Sequence, residues 1–351
     1  MTTPAMRIHS RIRVRQPRGQ RGSVALFFAL FLVALLSVGM FAINIPRVAI
    51  AVNELQNDAD AAALAGAAAL VSGGSTGPAW TLAETAAANA VPLNRADGRD
   101  LTTGVIQAGY WNLTGTPAGM QATTITPGVY DAPSVQVTVT RARNQNGGEI
   151  ALYLGSLLNL SSVPGSATAV AVVAAPSMVD SGGLFPVVMN QCIFNLYWDS
   201  ATNEPEIDPS TGQPYEIEIT NGQLYGGSCD AGQWTSFLTS ANNVPTIRTL
   251  IANGNPSPIS IGDSIWIQPG AETTVYASVP TNVTVVMPVA TQIVIKTYVP
   301  IVAFAAFHID KSVGGSGKYI QGHFVGGYTL TTGASGVGPT YGAYIAPRLA
   351  M

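Results

Sequence analysis

Few residues in this chain combine the types and spacing that chemistry needs. His308 and Asp310 alternate across Ile309. In a strand, residues i and i+2 share a face, so an acid–base or metal-binding pair is geometrically available there. The plainer reading is an exposed strand end before a glycine turn. Gly314-Gly315-Ser316-Gly317-Lys318 looks like a phosphate loop. The Walker pattern, however, needs Gly where Ser312 stands and Ser or Thr where Tyr319 stands, which leaves a hairpin turn as the better reading. Asp199, Glu204, Glu206, Asp208, Glu216 and Glu218 supply dense oxygen ligands of the kind calcium takes, but without EF-hand spacing they read as a solvated acidic loop. No Ser is paired with a His, so a hydrolytic triad has no support. We therefore expect no catalytic residue, no cofactor and no metal site. Cys192 and Cys229 are the two cysteines. No further Cys or nearby His completes a zinc site around them. In an oxidising compartment they would pair and close a loop of 38 residues counted with both ends. Such a loop is worth ~3–4 kcal/mol on a chain-entropy account; the bland alternative is two buried free thiols.

The elements that position these residues begin with a membrane anchor. Charged residues make up only 10% of the 351, against ~25% in ordinary soluble proteins. Arg7, Arg11, Arg13, Arg15, Arg18 and Arg21 fall in residues 1–22 with no acid among them, so the remainder carries ten basic and nineteen acidic residues, a net −9. A basic tail alone suggests nucleic acid. This one abuts SVALFFALFLVALLSVGMFAI, residues 23–43, and the positive-inside rule accounts for both features together. Twenty-one residues at ~1.5 Å each span about 31 Å, the thickness of a bilayer's hydrocarbon core. The run exceeds the apolar core of a cleaved secretory signal, and no small-x-small site follows it, so a retained anchor is expected. Pro46 should kink the helix just beyond the membrane. Val48 to Val71 is rich in alanine and reads as helix again, with Ser72-Gly73-Gly74 as a stop. If continuous, residues 23–72 would make a helix of about 75 Å. Leu55, Ala59, Ala62 and Gly66, spaced by four, three and four, form a narrow smooth face suited to close contact with a β domain or a partner helix. We nominate those four as partner-binding residues.

The stretch from Arg21 to Ala67 resembles the N-terminal region of the TadG-like proteins of Flp (Tad) pilus assembly. The resemblance lies in the Arg-Gly before the span, in Asn44-Ile45-Pro46-Arg47 after it, and in Asn53-Glu54-Leu55-Gln56-Asn57-Asp58-Ala59-Asp60-Ala61-Ala62-Ala63-Leu64-Ala65-Gly66-Ala67. Asn44 stands where that family usually has an acid, and Pro46 where Gly is common. Gly109-Tyr110-Trp111, the strand Ser134 to Val139, and Ala167 to Ala175 resemble its later segments. Gly232-Gln233-Trp234, Ile261 to Ile265 and Pro269-Gly270 resemble a block in its C-terminal region. Two departures carry meaning. Cleavage after Gly22, as in type IV prepilins, would place Phe27 where a processed pilin has Glu, which argues against a filament subunit. Asp180-Ser181-Gly182-Gly183 lacks the second Ser of the Asp-x-Ser-x-Ser metal motif that some TadG-like proteins carry.

The remaining pattern gives an α+β chain: one N-terminal transmembrane helix extended by an Ala-rich helix, then β-rich extracytoplasmic domains. The expected divisions are a cytoplasmic tail at 1–22, a span at 23–43 and an extracytoplasmic helix at 44–72. A small pilin-like α/β region at 73–176 and a β-rich domain at 177–351 follow. Leu82 to Ala90, Ile150 to Leu160, Trp234 to Leu238 and Ile247 to Ile251 read as short helices. Ser134 to Thr140 alternates with period two, and Val170–Ala175, Pro186–Met189, Tyr215–Thr220, Ser264–Ile267, Thr274–Ala277, Val283–Val286 and Thr291–Val302 suit strands. The resemblance implies a non-enzymatic pilus-assembly component of a bacterial inner membrane, N-terminus cytoplasmic and bulk periplasmic. Its implied partners are the membrane, other pilus-assembly proteins or pilins, and a second copy of itself, with no nucleic acid. A membrane-anchored adhesion or binding module and an anchored hydrolase built on His308 and Asp310 are the rival readings.

Overall fold

A computed structural model describes residues 23–71, 78–153, 155, 159–220, 224–225, 229–270 and 273–350. The Arg-rich tail, Gly22 and the Ser72-Gly73-Gly74 stop lie outside the described residues. The chain divides into two compact units, Met1–Ala49 with Ala151–Ser162, and Ile50–Ile150 with Val163–Met351.

Helix α1 runs unbroken over Ser23–Leu70 with Pro46 inside it. Pro46, where a kink was expected, does not end the helix; a proline costs one backbone hydrogen bond, which the turns on either side can absorb. In the first unit the helix leaves Val24, Leu26, Phe27, Phe28, Leu30 and Phe31 open, so its apolar side chains are not a protein core. Its length and composition suffice to cross a membrane.

In the second unit the character of α1 inverts. Leu55, Ala59, Ala62, Ala63, Ala67 and Leu70 are fully buried. They pack with Ala83 and Ala87 of α2 (Trp80–Ala90) and with a sheet. That sheet contains β1 (Val105–Asn112), β2 (Met120–Gln121), β3 (Asp131–Arg141) and β4 (Gly165–Val172). The period-two pattern of β3 explains its placement: Val135, Val137 and Val139 enter the core, while Gln136, Thr138 and Thr140 face outward. On that outer face Thr138 and Thr168 hydroxyls bond at 2.8 Å, as do Thr140 and Ser166. Gly66 sits where helix, α2 and sheet meet. A Cβ there would lie 2.9 Å from Val135 Cγ1 and 3.0 Å from the Ala83 carbonyl oxygen. The narrow face read from the sequence is thus filled by the chain's own sheet and second helix. Leu55, Ala59, Ala62 and Gly66, nominated for partner binding, are buried against these elements of their own chain.

The larger sheet holds β5 (Val187–Asn190), β6 (Ile217–Ile219), β7 (Gly232–Trp234), β8 (Ser264–Trp266), β9 (Val283–Ala290), β10 (Tyr298–Val313) and β11 (Tyr319–Phe324). Its order is β6-β11-β10-β9-β5-β7, with β8 pairing the start of β10. Only β5 and β9 run parallel. Helix α3 (Gln191–Tyr197) follows β5, and α4 (Val244–Asn253) begins at Asn243, whose side chain caps Thr246 N–H. A further strand, β12 (Arg348–Leu349), pairs with β4 of the smaller sheet. Tyr344, just before it, is buried in the α1–α2 core, and burial pushes its hydroxyl well above the usual tyrosine range.

Four expected elements differ. Trp234–Leu238 is the end of β7 followed by a turn, because Trp234 sits opposite Val187 in the sheet. Thr274–Ala277 is a turn running into a 3-10 helix. The strand expected over Thr291–Val302 starts at Tyr298 and continues to Val313. Ile150 opens the segment expected as helix up to Leu160, but as a short strand; residues 154 and 156–158 lie outside the described residues.

Two charged side chains are buried beside the smaller sheet. Arg141 donates to the carbonyls of Ala96 (3.0 Å), Gly148 (2.9 Å) and Glu149 (3.4 Å) and lies 3.3 Å from Asp97 Oδ2. One guanidinium therefore ties two turns to β3. Asp58 accepts from Asn94 Nδ2 at 2.7 Å through Oδ1, while Oδ2 is buried without a partner. Burial raises its carboxyl from 3.8 to about 6, with the Asn94 bond opposing. A carboxyl held above its unfolded value penalises folding once the unfolded chain ionises, so stability falls as pH rises from about 4 through about 6. Asp58→Asn should therefore raise the Tm of the detergent-solubilised chain at pH 7.5 by an amount worth about 1–3 kcal/mol, and leave it unchanged at pH 4. Gly66→Leu should destabilise the same preparation by about 1–3 kcal/mol in urea unfolding, since the side chain has no room.

Candidate functional site

The clearest polar constellation lies on the half-exposed face of the larger sheet. Three neighbouring strands place Thr284 opposite His308, and His308 opposite His323. A register shift between Ile309 and Lys311 makes Asp310 an extra residue. Such a bulge re-aims a side chain, and here the carboxylate turns toward both imidazoles. Asp310 Oδ2 is 2.8 Å from His323 Nδ1, and Oδ1 is 3.8 Å from His308 Nε2. His308 Nδ1 meets Thr284 Oγ1 at 3.0 Å, and the two rings lie 5.2 Å apart. Gly322 permits this pairing, because a Cβ there would collide with the His308 carbonyl oxygen. Farther along the face Gln321 donates to Glu216, and Lys311 Nζ reaches the Tyr319 hydroxyl at 3.2 Å.

The sequence paired His308 with Asp310 through the i, i+2 rule. The tighter pair is Asp310 with His323, a residue not singled out there. The signal was present, since a hairpin centred on the glycine-rich turn sets His308 and His323 opposite one another. That turn joins β10 to β11, in agreement with the hairpin reading and not with a phosphate loop.

Chemically, an imidazole–carboxylate pair can hold or pass a proton. Acyl transfer also needs a nucleophile on the paired imidazole. The Thr284 hydroxyl bonds His308, not His323. Among the described residues no three His, Cys, Asp or Glu side chains are arranged to hold a metal ion. Thr284 also lines an open cleft of about 240 Å³ with Gly182, Gly183, Asn253, Tyr328 and Thr332. Asp180, in the stretch compared with a metal motif, belongs to a turn beside this cleft: its N–H bonds the Gly333 carbonyl and its own carbonyl accepts from Asn255.

The acidic segment is similarly spent on local structure. Asp199 accepts from Ala201 N and Thr202 Oγ1, and Asp208 from Ser210 N and Oγ, each closing a turn. Burial and the nearby Asp199 charge raise the Glu204 carboxyl. This segment lies within the loop closed by Cys192 and Cys229, which are bonded with Cα atoms 6.2 Å apart. Cys192 stands in the first turn of α3, where Asn190 Oδ1 accepts from its N–H. Burial likewise raises the Asp230 carboxyl to about 6, against a backbone hydrogen bond from Gly232.

With the geometry in place, comparison with known proteins adds two findings. Residues 22–69 match the family described as putative Flp pilus-assembly TadE/G-like, and residues 56–171 the family described as putative Tad-like Flp pilus-assembly. Together they reach from residue 22 to 171, less than half of the chain. No curated protein and no solved structure matches it.

The disulfide yields a direct test. Non-reduced intact mass should fall two protons short of the reduced value, and the double variant Cys192→Ala/Cys229→Ala should lose about 3–4 kcal/mol of stability. Equal masses before and after reduction would show free thiols.

Proposed function

We propose that this TadG-like chain, similar to Flp pilus-assembly families over residues 22–171, is a membrane-anchored, non-enzymatic assembly component of a Flp (Tad) pilus. The two family matches carry the reading. The apolar first half of α1 supports the anchoring, since its large side chains stand open where a soluble protein would bury them. The six arginines before it favour a cytoplasmic N-terminus and a bulk outside the inner membrane. A disulfide between Cys192 and Cys229 suits that compartment. Partners would be other assembly proteins, pilins or a second copy. Their contacts must use surfaces other than the buried Leu55–Gly66 face.

The absence of Glu at Phe27 favours a scaffold in the membrane over a subunit of the filament. Deleting the gene in its host should abolish Flp pili. The full chain should restore them, and a chain lacking residues 23–43 should not. Alkaline phosphatase fused after Met351 should be active, as the enzyme requires export. Normal piliation in the deletion strain would sink the proposal, and an inactive but intact fusion would reverse the topology.

A further inference from the structure

The first unit holds a feature that an anchor alone does not explain. From Val24 to Ala49 the described helix is exposed except at Ser37, Arg47 and Val48, which are half-buried, and at Met40 and Asn44, which are buried. Met40 lies inside the apolar span, four residues or about 6 Å below Asn44 along the axis. Tyr153 is held against this point. Asn44 Nδ2 donates to the Tyr153 carbonyl at 2.8 Å, and Asn44 Oδ1 accepts from Tyr153 N–H at 2.8 Å. The same Nδ2 also donates to the Met40 carbonyl at 2.9 Å. One amide thus satisfies both backbone groups of Tyr153. A carboxylate at position 44 could not donate, which gives a physical role to the Asn that replaces the family's usual acid. The Arg47 guanidinium lies 4.3 Å over the Tyr153 ring.

We propose that Tyr153 and Leu160, within the described residues 151–153 and 159–162, make a second membrane contact at the boundary between lipid acyl chains and headgroups. The inference rests on the anchor reading of α1. Its occupant is the bilayer, for three reasons. Tyr153 and Leu160 are about half exposed, at 57% and 49%, and Tyr153 is held against a helix whose open surface is apolar, through Phe41, Ile43 and Ile45. The backbone donors of Leu152, Tyr153 and Leu160 are all satisfied within the unit, by Ser161 O, Asn44 Oδ1 and Gly155 O. Irregular chain at bilayer depth requires that satisfaction, because no water is available there. Tyrosine with a stacked arginine is the side-chain pair suited to the interface, with ring in the boundary and charge toward headgroups. This contact would fix how deep and at what rotation α1 sits, which a smooth apolar helix cannot fix by itself.

The test uses the full chain in phospholipid nanodiscs with its disulfide intact. Nitroxide labels go on Tyr153→Cys, Leu160→Cys, Phe31→Cys and Ala201→Cys, one at a time. Collision with oxygen reports lipid, and collision with a water-soluble nickel chelate reports solvent. The oxygen-to-nickel ratio at 153 and at 160 should be several-fold above that at 201 and below that at 31. Ratios at both 153 and 160 equal to that at 201, with 31 still deep, overturn this proposal and leave the anchor standing. An aqueous value at 31 removes the anchor and this proposal with it. Asn44→Ala should move the label at 160 toward water without changing 31; an unchanged 160 removes Asn44 as the depth-setting residue.

Discussion

The architecture depends on how closely one helix can approach one sheet. Between Leu55 and Leu70, α1 presents Ala59, Ala62, Ala63, Gly66 and Ala67, and these small residues let backbone meet Val135, Val137 and Val139 with α2 wedged alongside. Contacts at 2.9–3.0 Å from a virtual Gly66 Cβ show that no slack remains. Large side chains would hold the layers apart and lose the dispersion contacts that dense packing supplies. The alanines contribute helix propensity as well, so local preference and tertiary packing ask for the same residues.

The same helix meets two surroundings with one backbone. Its first half carries Phe, Leu and Val that stay open, and its second half carries Ala that is buried. The side-chain sizes follow: bulky apolar groups where contact is nonspecific, small ones where contact is shaped. Asn44 marks the change. It is a buried polar residue between these regimes, and its amide is fully engaged by Met40 and Tyr153. Buried charge is handled the same way at Arg141, whose guanidinium spends its donors on three carbonyls and Asp97. Asp58 is the exception, with one carboxylate oxygen left unpaired.

The polar row on the larger sheet shows how a register can assemble groups from distant positions in the chain. Thr284, His308 and His323 come from three strands, and a bulge brings Asp310 beside them. The tightest bond joins Asp310 to His323, while the Thr284 hydroxyl bonds His308. An Asp–His pair without a nucleophile on the imidazole is a common way to satisfy half-buried polar groups. It adds no support for a hydrolase, whereas the two family matches do support a pilus-assembly role.

Local and periodic features were legible directly. The apolar run at 23–43, the Ala-rich turns after it, the alternation of β3, the hairpin at Gly314–Lys318 and the Cys192–Cys229 pair all follow from residue types at short range or from compartment chemistry. The resemblance from Arg21 to Ala67 was equally local. What only the tertiary structure decided is non-local. The four-residue face of α1 had two admissible partners, and the chain's own sheet took it. Trp234 reads as a helix former until Val187 pairs with it. The Arg348–Leu349 strand, some 170 residues from β4, completes the first sheet, which no window on the sequence reveals. Likewise nothing near Asn44 in sequence shows that Tyr153, 109 residues away, occupies both ends of its amide. Periodicity says which face of an element is apolar. Which surface covers that face depends on the register and closure of distant segments, and those are set by packing energies summed over the whole fold.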